Sequence, residues 1–483
     1  MIIMFIESKG YAANSRSENE WWTPRLAGPV IAAAVVRLTL LALTLSRNGI
    51  RLLTNPDTST YLEPGRNLLL HGQFFANGAP DIFRTPGYSL FLAITSLAGL
   101  PVAALANVIF SVFSVFLVWK LGRAVFDDGR IALGASWIFA FEPISVINSF
   151  VLLSDTLFLV LFLLSMERVA VFLRERRLPV LAAGGLWLAT ATFVRPISYY
   201  LLVALVLGLF AVLVRVPGLR WKAPAVLLVS VLPWLAAWQI RNWVETDYRG
   251  FSSVSDVNLY FYIAPSVTGR VEHRSYIDVR NELGYPDFKD LWVLNNGQIY
   301  LSQPYLARHP EQAGWSQGQR LAFVHSEAMH VIRAHFGAYL ASCPKPLFMM
   351  LFELGEEALN LMVNSKEASH ILVSVTEGQN VGREAIALIK AYPWIAAEKA
   401  AFALVVLGLY LFAARGLFFA MREVYRGNMN NACLFLLLGT SLYFLAVTGA
   451  MGTLEGGPRF RLPIMPAVCI LAAAGFCRAK TTA

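Results

Sequence analysis

The sequence predicts an all-α polytopic membrane protein, with about ten or more transmembrane helices, interfacial helices and an extracytoplasmic cap. Three observations predict it. Of 483 residues, 57% are hydrophobic and 15% are charged, where a soluble domain carries about 25% charged residues. Mean hydropathy is +0.55. Apolar runs of about 20 residues, enough to cross roughly 30 Å of hydrocarbon, recur along the chain. One aqueous core cannot hide so many apolar side chains, so the bilayer must act as solvent for much of the protein.

The runs fall at 27–46, 101–122, 131–150, 155–174, 179–197, 198–216, 223–241, 397–420, 431–450 and 462–478. Two further runs, 88–100 and 336–353, are short or interrupted; Lys345 stands between Pro344 and Pro346 in the second. Both read as helices at or dipping into the interface. Basic residues orient the chain, because cytoplasmic loops collect Arg and Lys. Arg16, Arg25, Lys120, Arg123, Arg130, Arg174, Arg176, Arg177, Arg215, Arg220, Lys222, Arg415, Arg422, Arg426, Arg478 and Lys480 share one side if ten runs cross and the two short ones do not. The opposite side receives 47–100, 242–396 and 451–461.

This divides the chain into an N-terminal transmembrane module, 1–241, with a first outer loop at 47–100; a cap at 242–396, mainly irregular and helical; and C-terminal transmembrane helices at 397–483. The N-terminus, Met1 to Arg25, is mixed and polar without a cleavable signal, so the first run reads as a retained anchor. The net charge of +9 is topology information, and no basic stripe with interleaved aromatics points to nucleic acid. Cys343, Cys433, Cys469 and Cys477 form no CxxC pair, no disulfide framework and no zinc pattern. His325-x-Glu327-x-x-His330 lacks the four-residue histidine spacing of zinc-protease helices. No internal repeat, Walker loop, dinucleotide fingerprint or nucleophile elbow is found.

The densest chemistry follows the first run, at Asn55-Pro56-Asp57-Thr58-Ser59-Thr60-Tyr61. Asn then Pro starts a helix, with Asn55 as N-cap. Asp57 falls in the first turn, where free N–H groups keep a carboxylate ionised, and Tyr61 lies on the same face. Pro64 and Gly65 should bend or end this helix. On spacing alone Asp57 is a helix-start acid; its functional reading is a carboxylate at the membrane surface that takes a proton from an acceptor hydroxyl. Arg84 precedes a Pro86-Gly87 break, where it either snorkels or meets a lipid head group.

Arg37 and Glu142 lie at membrane depth, so each should face the bundle interior and find a partner, which could be the other. Asp155 opens a span on the side of Asp57. It reads as a helix cap with Ser154, or as a second acid for acid–base chemistry or shared metal binding. Arg84, Arg195, Arg241, Arg459 and Arg461 collect at the outer face, against the usual loop bias. Such a cluster calls for an anion, and guanidinium binds phosphate bidentately.

Several of these features, in order, resemble the GT-C glycosyltransferases of the protein-mannosyltransferase and aminoarabinose-transferase type. They are Asp57 with Tyr61; Gly72-Gln73-Phe74; Arg84-Thr85-Pro86-Gly87-Tyr88; Ser154-Asp155; Arg195-Pro196; Trp234 to Asn242; and Arg459-Phe460-Arg461-Leu462-Pro463. The resemblance covers about 25–270 and 320–475. It implies a GT-C-like fold, a polyprenyl-phosphate-sugar donor, a site at the outer membrane face and a first-loop Asp essential for transfer, often with inversion. Asp57 matches that catalytic Asp, and Asp155 the second acidic position. Where aminoarabinose transferases place an acid and a lysine, this chain reads Arg84 and Thr85.

The resulting expectation is a multi-pass enzyme of a bacterial inner membrane, with its site facing the periplasm. Asp57 and Asp155 are catalytic; Arg84, Arg459, Arg461, Arg195 and Arg241 bind donor phosphate; Tyr61, Tyr262 and Glu142 contact sugar or acceptor. Partners are the polyprenyl-phosphate sugar, membrane lipids and a protein, lipid or glycan acceptor. A divalent cation is the one cofactor left open. Two rivals use the same arginines. A transporter or flippase of polyprenyl-linked sugars would not require an ionised Asp outside the bilayer. An O-antigen ligase or polymerase leans on arginines and a histidine in a large outer loop.

Overall fold

The computed structural model describes residues 24–286, 298–353, 393–427, 431–451 and 457–479. Expectations on Arg16, Lys480, most of the N-terminal stretch 1–25 and parts of 242–396 and 451–461 lie outside the described residues. The protein is all-α and polytopic. The one sheet among the described residues is a hairpin pairing Phe75–Ala76 with Ala79–Pro80, antiparallel. Eight helices among these residues are long and apolar enough to cross a membrane: 25–48, 100–126, 155–175, 196–213, 222–246, 400–425, 432–451 and 458–477.

In chain order the N-terminal helices are α1 (Pro24–Asn48), α2 (Pro56–His71), α3 (Pro86–Thr95), α4 (Leu100–Phe126), α5 (Gly129–Ala140), α6 (Pro143–Ile147), α7 (Asp155–Glu175), α8 (Leu178–Val194), α9 (Leu201–Leu213) and α10 (Lys222–Thr246). Several begin with Pro, whose fixed φ suits the first turn and whose missing N–H would be unpaired there anyway. Helix α7 is buried on nearly all sides, as a central helix that is apolar all round should be. Helices α1 and α10 leave long apolar faces exposed, including Ile31, Val35, Val229 and Trp234, the surface a bilayer covers.

The expected span 131–150 is not one helix. Helix α5 ends at Ala140, and the chain turns through Phe141 and Glu142 into the five-residue α6. Arg37 explains how a break is tolerated at this depth. It is fully buried, with Nε on Ser111 Oγ at 2.8 Å, Nη1 on the Ala140 carbonyl at 2.8 Å and Nη2 on Ser145 Oγ at 2.6 Å. It thus satisfies a carbonyl that the ended helix releases. Helix, break and turn together still carry 129–154 across the bundle. One end lies beside Arg174, which donates to the Arg123 carbonyl; the other reaches Ser154, which meets Tyr61.

The cap holds α11 (Val254–Asn258), a π-turn at Leu259–Ile263, α12 (Ala264–Glu272), α13 (Tyr276–Glu282), α14 (Gln303–Arg308), α15 (Gln317–Ala334), α16 (Phe336–Ser342) and α17 (Pro344–Phe352). It has its own apolar core, around Phe261, Val267, Tyr300, Tyr305 and Val324. The segment 336–353 is the two short helices α16 and α17, as its interruption implied. The remaining helices are α18 (Pro393–Tyr425), α19 (Asn431–Met451) and α20 (Met465–Ala479), with a 3₁₀ segment at Pro458–Ile464 leading into α20.

Two glycines bring α2, α3 and α8 together. A Cβ on Gly65 would lie 2.0 Å from the Ser89 carbonyl oxygen, so only glycine lets α2 cross α3 this closely. Helix α2 accordingly runs through Pro64 and Gly65 to His71 instead of ending early. A Cβ on Gly87 would lie 2.6 Å from the Phe193 carbonyl oxygen. The start of α3 thereby seats against the end of α8, two residues before Arg195.

Candidate active site at one end of the helix bundle

The site begins with the cap of α2. The Asn55 side chain accepts from the Asp57 N–H at 3.0 Å, and the Asn55 N–H donates to Thr58 Oγ1 at 2.9 Å, the reciprocal arrangement of a capping box. Thr58 Oγ1 in turn donates to the Leu152 carbonyl at 3.0 Å, tying α2 to the approach of α7. Asp57 is fixed at a helix start, as its sequence position implies.

Its carboxylate lies between two guanidinium groups. Arg84 Nη2 is 2.8 Å from Oδ1 and Arg459 Nη2 is 3.2 Å from Oδ2. Burial pushes the Asp57 pKa up, but the charges and hydrogen bonds of Arg84 and Arg459 outweigh it and hold the group at about 2. The side chain keeps 35% exposure. Asp57 is therefore an accessible carboxylate, ionised throughout the neutral range and weakly basic.

Arg84 grips three residues of α2. Nε donates to Thr60 Oγ1 at 2.7 Å, Nη1 to the Tyr61 hydroxyl at 3.0 Å and Nη2 to Asp57. Its guanidinium also lies 4.1 Å from the centre of the Tyr61 ring. The Tyr61 hydroxyl also shares a hydrogen bond with Ser154 Oγ, 3.1 Å away. Asp155 follows Ser154 and forms a buried ion pair with Arg195, whose guanidinium lies 5.3 Å from the Phe460 ring. Each of the two carboxylates is thus paired with arginine, and Arg459, bonded to Asp57, also feels the Asp155 charge. Ser154 stands at the N-cap position of α7 yet spends its hydroxyl on Tyr61 instead of the helix.

The turn that presents Arg84 is itself built. Asp81 accepts from the N–H groups of Phe83 at 2.7 Å and Arg84 at 3.2 Å, an Asx turn. Burial pushes its pKa up to about 6, against the two N–H bonds and the charges of Arg84 and Arg241. Ser252 Oγ donates to the Phe83 carbonyl at 2.7 Å and the Ser253 N–H to the Ile82 carbonyl at 2.8 Å, so the cap buttresses the same turn.

Four expected contacts lie elsewhere. Arg241 donates to the Phe74 and Asp81 carbonyls, both at 2.8 Å, and pairs with Glu245 at 2.8 Å; it stitches the loop backbone. Arg461 is fully buried and donates to the Leu351 and Glu353 carbonyls at 2.9 and 2.8 Å, where it anchors the end of α17. Glu142 is buried beneath the site. It accepts from Ile144 and Ser145 N–H as the cap of α6, and meets Arg37 through Ser145 with no direct pairing between the two. Tyr262 bonds Tyr285 at 2.5 Å in the cap. Alternation of Arg459 outward with Arg461 inward follows from the tight 3₁₀ winding, which no apolar pattern announces.

Asp81 is a site residue that the sequence reading did not single out, and Thr60, Ser154 and Phe460 entered it without a site role. The Asp81-x-x-Arg84 spacing is an Asx-turn signal; for the others only the fold supplies one. Among the described residues no group of three His, Cys, Asp or Glu is placed to hold a metal ion.

No protein-family model and no curated protein matches the sequence. Solved structures do align along most of its length. The Archaeoglobus fulgidus oligosaccharyltransferase tethered with an acceptor peptide is 13% identical, with a TM-score of 0.44 over 96% of this chain and 50% of that one. The same enzyme in complex with Zn and sulfate gives 13% identity and a TM-score of 0.44, over 94% of this chain and 49% of that one. ArnT from Cupriavidus metallidurans in the apo state is 13% identical, with a TM-score of 0.37 over 94% of this chain and 78% of that one. This chain spans about half the length of the archaeal oligosaccharyltransferase that it is similar to.

Proposed function

We propose that this protein is a membrane glycosyltransferase. It moves a hexosyl or pentosyl group from a polyprenyl-phosphate donor to an acceptor at the outer face of a bacterial inner membrane. The observation that carries this reading is the pair of guanidinium groups, Arg84 and Arg459, set on the accessible Asp57 carboxylate. Among the described residues Arg459 makes a single hydrogen bond, to Asp57, so most of its donor fork is open to an anion. A sugar phosphate presents both things this site can use: a phosphate for Arg459, and an anomeric carbon whose growing positive charge Asp57 can face.

The reaction is a single displacement. A lone pair of the acceptor attacks the anomeric carbon; the bond from that carbon to the phosphate oxygen breaks, and its electron pair leaves with the polyprenyl phosphate. Arg459 holds the leaving charge. Arg84 keeps Asp57 aimed, and Asp57 accepts a hydrogen bond from the incoming acceptor. Asp155 and Arg195 fix the second wall of the site through Ser154 and Tyr61.

The test is conversion of radiolabelled polyprenyl-phosphate mannose, glucose, galactose and arabinose by the purified protein in lipid nanodiscs, with envelope extract as acceptor. Cleavage of at least one donor, lost in Asp57→Asn, is expected. Movement of intact donor across the bilayer without cleavage would identify a flippase instead.

A further inference from the structure

We infer that Glu353 is a positioning residue for donor binding: it braces the backbone on both sides of Arg459 and so sets the direction of that fork. The inference rests on the transfer proposed above, in which Arg459 holds the donor phosphate.

The Arg459 side chain is lightly held. Among the described residues its guanidinium makes one hydrogen bond, to Asp57 at 3.2 Å, and it lies 5.4 Å from the ring of the adjacent Phe460. Asp57 is shared with Arg84 at 2.8 Å, so that one contact does not fix the direction of Arg459 alone. An arginine side chain carries about 2 kcal/mol of rotamer entropy. A fork that meets a phosphate with both arms therefore needs a fixed backbone beneath it.

One residue holds that backbone at two points. Two positions after Arg459, the fully buried Arg461 donates from Nη1 to the Glu353 carbonyl at 2.8 Å and to the Leu351 carbonyl at 2.9 Å. Carbonyls at the end of a helix such as α17 lack a partner within it. Tyr410 of α18 donates to the Leu351 carbonyl as well, at 2.8 Å, which makes this helix end a fixed point. Two positions before Arg459, a Cβ on Gly457 would lie 3.2 Å from Glu353 Oε2. Gly457 has a φ of +53°, a conformation that favours glycine. The chain thus turns into the 3₁₀ segment Pro458–Ile464 directly against the Glu353 carboxyl group.

The Glu353 carbonyl and its side chain accordingly bracket Arg459, two residues away on either side. Three residues make one 3₁₀ turn, so side chains two apart point in different directions. With Arg461 committed inward to α17, Arg459 is left on the side of Asp57. Phe460, between them, seats against the Arg195 guanidinium at 5.3 Å. Releasing the Gly457 end of the brace lets the segment rotate, and the fork with it.

The experiment uses the full chain in nanodiscs with the labelled donor panel above. Glu353→Ala keeps the carbonyl that Arg461 uses and removes the side chain at Gly457. It is expected to raise donor KM ~10-fold while kcat changes less than about threefold. A loss of folded protein would lower the apparent kcat and leave KM in place, so KM separates positioning from folding. Glu353→Gln has the same reach and should restore most of the donor affinity. Gly457→Ala crowds the contact from the other side and should also raise donor KM. Because the effect runs through Arg459, adding Glu353→Ala to Arg459→Ala should leave donor KM at the value of Arg459→Ala alone. Three results would each overturn the inference and leave the transferase reading intact: an unchanged donor KM in Glu353→Ala, a Glu353→Gln as impaired as Glu353→Ala, or effects that multiply in the double variant. No cleavage of any donor by the wild type would overturn both.

Discussion

Arg459 Nη2 lies 3.2 Å from Asp57 Oδ2, although 402 positions separate the two residues. The contact closes the site: the start of α2 and the 3₁₀ approach to α20 meet on one carboxylate. Among the described residues it uses one N–H of a guanidinium that has five. Replacing Arg459 with Ala should therefore weaken donor use more than it weakens the fold. A hydrogen bond to a charged group is worth about 1.5–3 kcal/mol, so kcat/KM for donor should fall roughly 10- to 100-fold. Lys at this position keeps the charge but not the fork, and should recover part of the loss. Steady-state kinetics with the cleaved donor measure both.

Asp57 is expected to contribute no pH limb to activity near neutrality. Its folded-state pKa, about 2, lies below the ordinary carboxylate value. The stability it adds is present above about pH 4 and is lost as pH falls through about 2. Between about pH 5 and 9 it stays ionised. Asp57→Asn should cut turnover by about a thousandfold or more, by the same factor across that range. A loss that varied with pH would mean that Asp57 itself titrates during turnover.

Local chemistry made part of this site legible in the sequence. Asn55-Pro56-Asp57 is a helix start read from propensity alone, and Asp57 and Tyr61 share a face because the helix repeat puts them there; Arg84 touches both. The outer arginines could be gathered to one face by counting spans. Which of them face the site could not be read, because that depends on tertiary contacts with no sequence period. Arg241 and Arg461 turn to backbone carbonyls released by loops and helix ends. Arg84 and Arg195 turn to carboxylates 27 and 40 positions away. The break at Phe141 did carry a local signal, Glu142-Pro143 inside an otherwise apolar run; what sequence could not show is that Arg37, far away, satisfies the carbonyl the break releases.

The Asp155–Arg195 pair should behave as structure first. Its side chains are 4% and 14% exposed, and removing one partner leaves a buried charge, which typically costs about 3–5 kcal/mol. Asp155→Asn alone should lower the thermal midpoint sharply in detergent. The double variant with Arg195→Gln, which removes both charges, should regain much of it. Nanodisc unfolding followed by tryptophan fluorescence measures both. A double-variant loss equal to the sum of the losses in Asp155→Asn and Arg195→Gln would mean that the pair is not coupled.

Asp81 should make the Arg84 turn pH-sensitive in the opposite sense to Asp57. Burial holds its carboxyl at about 6, above the ordinary value, so the folded turn favours the protonated form. The stability this provides is complete below about pH 4 and is lost as pH rises through about 6. Amide exchange over residues 72–85, corrected for intrinsic rates, should therefore show a better protected turn at about pH 5 than at about pH 7. Asp81→Asn keeps an oxygen for the Phe83 and Arg84 N–H groups without a charge, and should be protected equally at both. Asp81→Ala removes that acceptor and should lose protection worth about 1–3 kcal/mol at either pH. Because Arg84 stands at the end of this turn and grips Asp57, donor cleavage by Asp81→Ala should fall even though Asp81 touches none of the reacting groups.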